Sequence, residues 1–285
     1  MRRFLLVVFL VQPAALADAK KKELLLYREG FQLASGTQVV EKTEREMSSK
    51  NLELSVGDLK IAGSMSDAGS KEVHGTQVTP DRVRYILKNF KARQVFKIGG
   101  NKDVQEEEEA LVGIPVILER HNGQWSARLE QGEPNDQQQE ELAELEDLWN
   151  TDDDRAMYGP KPRAIGETWK VDAADIPSFL GMADGVKGEV TLTLVGEKTL
   201  AGVRCARVKG KLDCTVLMKG EDEDPDVKVS MEGDFEIVRS LAHYEDIAFE
   251  MKGKMTVLFE GPSPQGPLTM EGDGPFTMTG SLQIR

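Results

Sequence analysis

The chemically capable residues of this 285-residue chain are few and scattered: three histidines, His74, His121 and His243, and two cysteines, Cys205 and Cys214. No histidines stand at metal-ligand spacing and no Cys-x-x-Cys occurs, so each histidine is expected in a turn or in solvent rather than on a metal. No Gly-x-Ser-x-Gly elbow, Walker loop or dinucleotide fingerprint is present. Asp222, Asp224 and Asp226 alternate as carboxylates around Ca²⁺ do, but their loop lacks the Gly and terminal Glu of an EF-hand, and a solvated hairpin loop is expected. The runs Glu106 to Glu109 and Asp152 to Asp154 likewise read as solvated charge. With no convergent polar constellation, the expectation is a protein that is not an enzyme and uses no cofactor or metal.

Composition narrows the class further. Lys+Arg total 36 against 49 Asp+Glu, a formal net charge of −13, which excludes nucleic-acid binding driven by bulk charge. Hydrophobic residues at 39%, charged residues at 30% and a mean hydropathy of −0.40 suit a packed, rather polar globular chain. The first residues read as a secretory signal: Arg2 and Arg3 are the basic region, Phe4 to Val11 is apolar, and Ala17-Asp18-Ala19 is a small-x-small cleavage site. That run is too short to cross a bilayer, which takes about 20 apolar residues. The mature protein is therefore expected to be acidic, exported to the periplasm or beyond, and not membrane-spanning.

The elements that must position any site are mostly strands. From Leu24 to Gly132 short alternations dominate, with a turn at Gly57-Asp58 between runs of opposite parity. Val83 to Phe90 fits both a strand and a helix opened by Thr79-Pro80-Asp81, and strand is favoured. Ile114 to Arg120 and Gln124 to Leu129 flank His121-Asn122-Gly123, a hairpin signal. Asp136 to Trp149, capped by Asn135, has a helical apolar face at Leu142, Leu145, Leu148 and Trp149. Thr151 to Arg163 reads as a solvated connector. Gly166-Glu167-Thr168-Trp169 opens a strand, and Ala173 to Leu180 is a short second helix limited by Pro177. Five long alternating runs follow between Val186 and Ile284. The domain plan is a signal peptide over 1–19, a β-rich half ending in a helix over 20–150, a linker over 151–165, and an antiparallel β half over 166–285.

Each late run carries a Gly on its apolar face: Gly188, Gly210, Gly233, Gly253, Gly272 with Gly274, and Gly280. A line of missing side chains implies either a crease that a strongly curved sheet needs or the floor of a groove. Hairpin turns at polar stretches would pair Gly188 with Gly210, Gly210 with Gly233, and Gly253 with Gly272 or Gly274. Pairing Gly233 with Gly253 needs a turn near His243, where no turn residues stand out. Two alternatives stand for the cysteines. A tight turn at Lys209-Gly210 would oppose Cys205 and Cys214. The favoured reading is one continuous strand through Gly210, with the thiols on opposite faces and roughly 30 Å apart.

The phrase Gly166-Glu167-Thr168-Trp169 after a Pro-containing linker, the Leu111-Val112-Gly113 step into the Trp125 hairpin, and the signal peptide together resemble uncharacterised exported β-rich bacterial proteins. The layout of two β halves separated by two helices is also similar to half-barrel carriers of the LolA and LppX type. That resemblance implies a curved antiparallel sheet and a helical lid enclosing a lipid or acyl chain. The expected fold is thus mainly β (α+β), a long, strongly curved antiparallel sheet or half-barrel with two short helices between the halves. The expected function is a cell-envelope binding or carrier module for a lipid or other apolar molecule, with an envelope protein as a further partner. The expected site comprises Met231, Phe235, Met251 and Met255 on the concave face of the second half, under a lid of Ile176, Phe179, Leu180 and Met182. The alternative is a structural or interaction protein whose core is filled by its own side chains.

Overall fold

A computed structural model describes residues 22–179, 185–218, 226–261 and 266–285. The expected signal peptide, Asp222 and Asp224, and the lid residues Leu180 and Met182 lie outside the described residues. In chain order the strands of the first half are β1 (Glu23–Leu24), β2 (Gln38–Val56), β3 (Leu59–Thr79), β4 (Arg82–Ile98), β5 (Asn101–Glu107), β6 (Pro115–His121) and β7 (Gln124–Leu129). Helices α1 (Asp136–Asn150) and α2 (Asp153–Tyr158) follow. The second half holds β8 (Arg163–Ala164), β9 (Thr168–Asp172), a 3₁₀ turn (Ala173–Asp175), β10 (Val186–Leu200), β11 (Val203–Met218), β12 (Asp226–Ser240), β13 (Asp246–Gly261) and β14 (Leu268–Ile284).

The two β halves are one object. A 12-stranded antiparallel sheet runs β7-β6-β4-β3-β2-β14-β13-β12-β11-β10-β9, with β5 added on β4. The last strand of the chain pairs with β2, Met278 opposite Arg45 and Ile284 opposite Val39, and so fastens the halves together. The end strands β7 and β9 do not meet, so the sheet is an open, curved half-barrel. Strands β2, β3 and β4 run 19, 21 and 17 residues, not the short alternations expected there. Polar residues on both faces had masked their continuity. The Gly57-Asp58 turn and the Asn122-Gly123 hairpin form where expected, with Gly57 at φ 56°, Asn122 at φ 52° and Gly123 at φ 87°.

Two apolar clusters occupy the concave face. One joins the second half to α2 and residues 24–26; the other joins β3, β4, β6 and β7 to Leu142 and Leu145 of α1. Here two expectations need correction. Thr151 to Arg163 is not a solvated connector, because Met157 and Tyr158 at the end of α2 are 1% and 0% exposed. The described part of the Ala173 to Leu180 segment, residues 173–179, is not an α-helix. Asp172 caps a single 3₁₀ turn, accepting from the Ala174 N–H at 3.0 Å, and Pro177 forbids its extension.

The glycine row is real but its registers differ from those expected. Gly188 stands opposite Cys214, Gly210 opposite Phe235, and Gly253 opposite Phe276. Gly233 and Gly253 do face each other. The turn that sets them, lacking Gly or Pro, is held by the Ser240 hydroxyl, which accepts from the Ala242 and His243 N–H groups at 3.3 and 3.1 Å. Aromatic rings fill the gaps. A Cβ on Gly210 would fall on the Phe235 ring, one on Gly253 would lie 2.8 Å from Phe276 Cε1, and one on Gly280 would lie 2.8 Å from Phe249 Cδ1. Between Gly233 and Gly253 the backbones themselves are close, a Gly233 Cβ meeting Lys252 O at 2.7 Å. These glycines admit neighbouring rings and tight strand coiling, which is the crease reading. Both cysteines are buried and unpaired on the continuous strand β11.

Gly253→Val should therefore lower stability by about 1–3 kcal/mol through overpacking, read as a lower urea midpoint, and Gly233→Val should do the same. Thiol titration of the denatured, unreduced chain should count both cysteines.

Candidate functional site

The described residues among those expected to bind ligand are brought together, but against one another. Ile176 is fully buried, and Met231, Phe235 and Met251 are no more than 5% exposed; Met255 and Phe179 are half-buried in the same cluster. Asp153 fixes Phe179 by accepting its backbone N–H at 2.6 Å. The Phe179 ring then sits 5.3 Å from Phe235 and 5.9 Å from Phe249, centroid to centroid. Ile176 and Phe179, the described part of the expected lid, are thus packed into the same cluster as Phe235 and Phe249.

Open space lies elsewhere on the concave surface, where α1 crosses the first half. Asn135 and Gln138 form a capping box that starts the helix. Beyond Gln138, which also donates to the Ala110 carbonyl at 3.5 Å, three of the helix's side chains bond to backbone in the β5–β6 connection and on β7. Glu141 accepts from the Ala110 and Leu111 N–H groups at 2.6 and 2.8 Å, and Glu146 accepts from Ala127 N–H at 2.7 Å. Asn150 brackets Trp125, accepting from its N–H at 2.8 Å and donating to its carbonyl at 3.0 Å. The helix is held like a bar across the sheet. Leu142 and Leu145 reach the core, but Leu148 is 46% exposed and leaves room beneath it.

That room is a cavity of about 610 Å³, with apolar walls from Leu87, Leu111, Leu145 and Leu148. A second cavity of about 260 Å³, bounded by Val39, Val73, Val83, Trp149 and Leu282, adjoins it across Lys71, Tyr85 and Leu148, which line both. Carboxyl groups ring this space. Burial raises the Glu109 carboxyl above its ordinary range, helped by the charge of neighbouring Glu141. Glu245, in the smaller cavity, is pushed up to about 8, chiefly by burial and then by Asp154. Burial also raises the Tyr85 phenol.

Behind Glu245 stands a charged hub that the sequence reading missed. Arg239 is 1% exposed; its Nε donates to the Leu26 carbonyl at 2.6 Å and its terminal nitrogens to Asp154 at 2.5 Å and Asp246 at 2.7 Å. The guanidinium lies 4.1 Å from the Tyr158 ring centroid, and the Tyr158 hydroxyl donates to Asp246 at 2.8 Å. One side chain thereby ties the N-terminal segment, α2, β12 and β13 together. Asp154 belonged to a run read as solvated; the available signal was an Arg placed inside the apolar run Ile237, Val238, Leu241. The histidines are dispersed: His74 bonds Glu72 at 2.8 Å, His243 meets the Ser240 hydroxyl at 3.2 Å, and His121 ends β6 opposite Gln124. Among the described residues, no group of three or more His, Cys, Asp or Glu side chains is arranged to hold a metal, and no helix is long and apolar enough to cross a membrane.

No family model matches the chain, and no curated protein matches its sequence. Among solved structures it is similar to lipovitellin, described for its lipid–protein interactions, at 6% identity and a TM-score of 0.39, over 89% of this chain and 26% of that one. The chain thus spans about a quarter of lipovitellin's length. A DUF1329 family protein from Desulfovibrio piger aligns at 9% identity and a TM-score of 0.18, over 88% of this chain and 85% of that one. OmpF of Salmonella typhi aligns at 9% identity and a TM-score of 0.17, over 93% of this chain and the whole of that one.

The hub and Glu245 make stability depend on pH. A carboxyl raised in the folded state from 4.5 to about 8 favours folding fully below its unfolded value, and that contribution is lost as pH rises through 8. Asp154, raised to about 6 mainly by burial, acts in the same direction at lower pH. The urea midpoint should fall between pH 5.5 and 8.5, and Glu245→Gln should restore on the order of 1–3 kcal/mol at the higher pH, after allowance for partial solvent screening. Arg239→Met should cost about 3–5 kcal/mol at neutral pH, because Asp154 and Asp246 would be left without their counter-charge.

Proposed function

We propose that this protein is a non-catalytic binding or carrier module that takes an apolar small molecule, such as a lipid acyl chain, in the cavity beneath α1. The observation that carries this reading is the pair of adjoining cavities of about 610 and 260 Å³, walled by leucines, valines and two aromatic side chains. Pockets for small ligands span roughly 300–1,000 Å³ and have such walls. The basic, apolar and small-residue pattern at the start of the chain supports export, and so a place of action in the cell envelope. An envelope protein that delivers or receives the molecule follows from a carrier role.

The second half supports a different reading of its own surface. Its concave face is filled by Ile176, Phe179 and α2, as in a scaffold with a self-filled core. We therefore assign binding to the first half and support to the second.

Native mass spectrometry after expression in a membrane-bearing host tests the reading, with a copurifying apolar adduct as the expected result. In solution, the neutral dye N-phenyl-1-naphthylamine should bind with enhanced fluorescence. Leu148→Asp, at an exposed lip of both cavities, should weaken the dye about tenfold or more by placing a charge in an apolar wall. Met255→Ala, in the filled half, should leave dye binding unchanged. Absence of both adduct and dye binding would leave the self-filled scaffold as the function of the whole chain.

A further inference from the structure

We infer that the ligand of this cavity is a cationic amphiphile, an alkyl chain bearing an ammonium head, and not a fatty acid or other anionic lipid. The inference rests on the cavity reading above and adds the charge class of the ligand. The larger cavity is bordered by Glu109, Glu141, Glu144 and Asp147, and Lys71 is the cationic side chain in its wall. Both oxygens of Glu141 already accept backbone N–H groups, so its charge is fixed in place. Glu144 and Asp147 stand exposed on α1, at the rim. An anion entering here would face this field with one opposing ammonium, whereas a cation is drawn in by it.

The rest of the molecule has a matching place. Tyr85, shared by both cavities, offers a ring to an alkylammonium, a contact strongest with quaternary heads. Beyond it the smaller cavity continues among Val39, Val73, Val83 and Leu282, which suit an alkyl tail, and its wall also holds Glu41 and Glu245, two carboxyl groups against the four that border the space under α1. The head therefore lies under α1 and the tail toward β2 and β3. Lys71, at the junction, opposes the head, so its removal should strengthen binding.

The test uses three probes with the same tail, decyltrimethylammonium, decanol and decyl sulfate, each below its micelle concentration, displacing N-phenyl-1-naphthylamine. The cation should displace the dye at least tenfold more effectively than the anion, with the alcohol between them. The double variant Glu144→Gln, Asp147→Asn should shrink that ratio severalfold, and Lys71→Met should widen it. A control removing the same charge at residues that line neither cavity, Glu232→Gln on β12 with Glu271→Gln on β14, should leave the ratio unchanged. Tighter binding of decyl sulfate, or an equal effect of the control, overturns the charge assignment while the cavity reading stands. Failure of dye and decanol alike to bind overturns the cavity reading, and this inference with it.

Discussion

An open sheet whose longest strands run 15 to 21 residues has one overriding constraint: its concave face must be covered, and the other sheet among the described residues is only the two-stranded β1–β8 ribbon. A sandwich solves that problem by pairing faces, and a barrel by closing on itself. This chain does neither. It covers the second half with α2, the 3₁₀ turn and the N-terminal segment, and the first half with α1 alone. The difference between a filled half and a half with a cavity follows from that asymmetry of cover.

The two covers are attached by different forces. Over the second half the joint is a buried Arg239 with two aspartates and a tyrosine ring, backed by Phe179 resting on Phe235 and Phe249. Removing either sign from such a hub strands the other in a low-dielectric setting, so the hub specifies where α2 must sit more than it adds net stability. Over the first half the joint is a set of carboxylate and amide bonds from the helix to backbone, at Ala110 and Leu111 in the β5–β6 connection and at Trp125 and Ala127 on β7. Those bonds fix the helix at its flanks without requiring apolar side chains along its whole length. Leu148 is consequently free to form a wall instead of a plug.

The sequence made much of this legible because period-2 alternation and turn chemistry are local. The Asn122-Gly123 hairpin, the Asn135 cap and the five late strands follow from neighbouring residues. Register was less legible. The expected glycine pairings assumed turns centred on polar stretches, whereas Gly210 faces Phe235, two residues beyond Gly233, Gly253 faces Phe276, two beyond Gly274 and four beyond Gly272, and Gly188 faces Cys214, four beyond Gly210. The cavity was not legible at all, since it depends on which side of α1 faces β3 and β4 across more than fifty residues of chain. Asp152 to Asp154 shows the same limit: an acidic run has the same appearance in solvent as it does beside a buried arginine.

The placement of charge links these points. The chain is acidic throughout, so a cavity rimmed by Glu109, Glu144 and Asp147 needs no special explanation from composition. What composition does not supply is a raised carboxyl on each side of the apolar space, Glu109 under α1 and Glu245 against the Arg239 hub. Both groups are raised because the cover that creates the cavity also withdraws them from water. The same desolvation strengthens every electrostatic contact made inside.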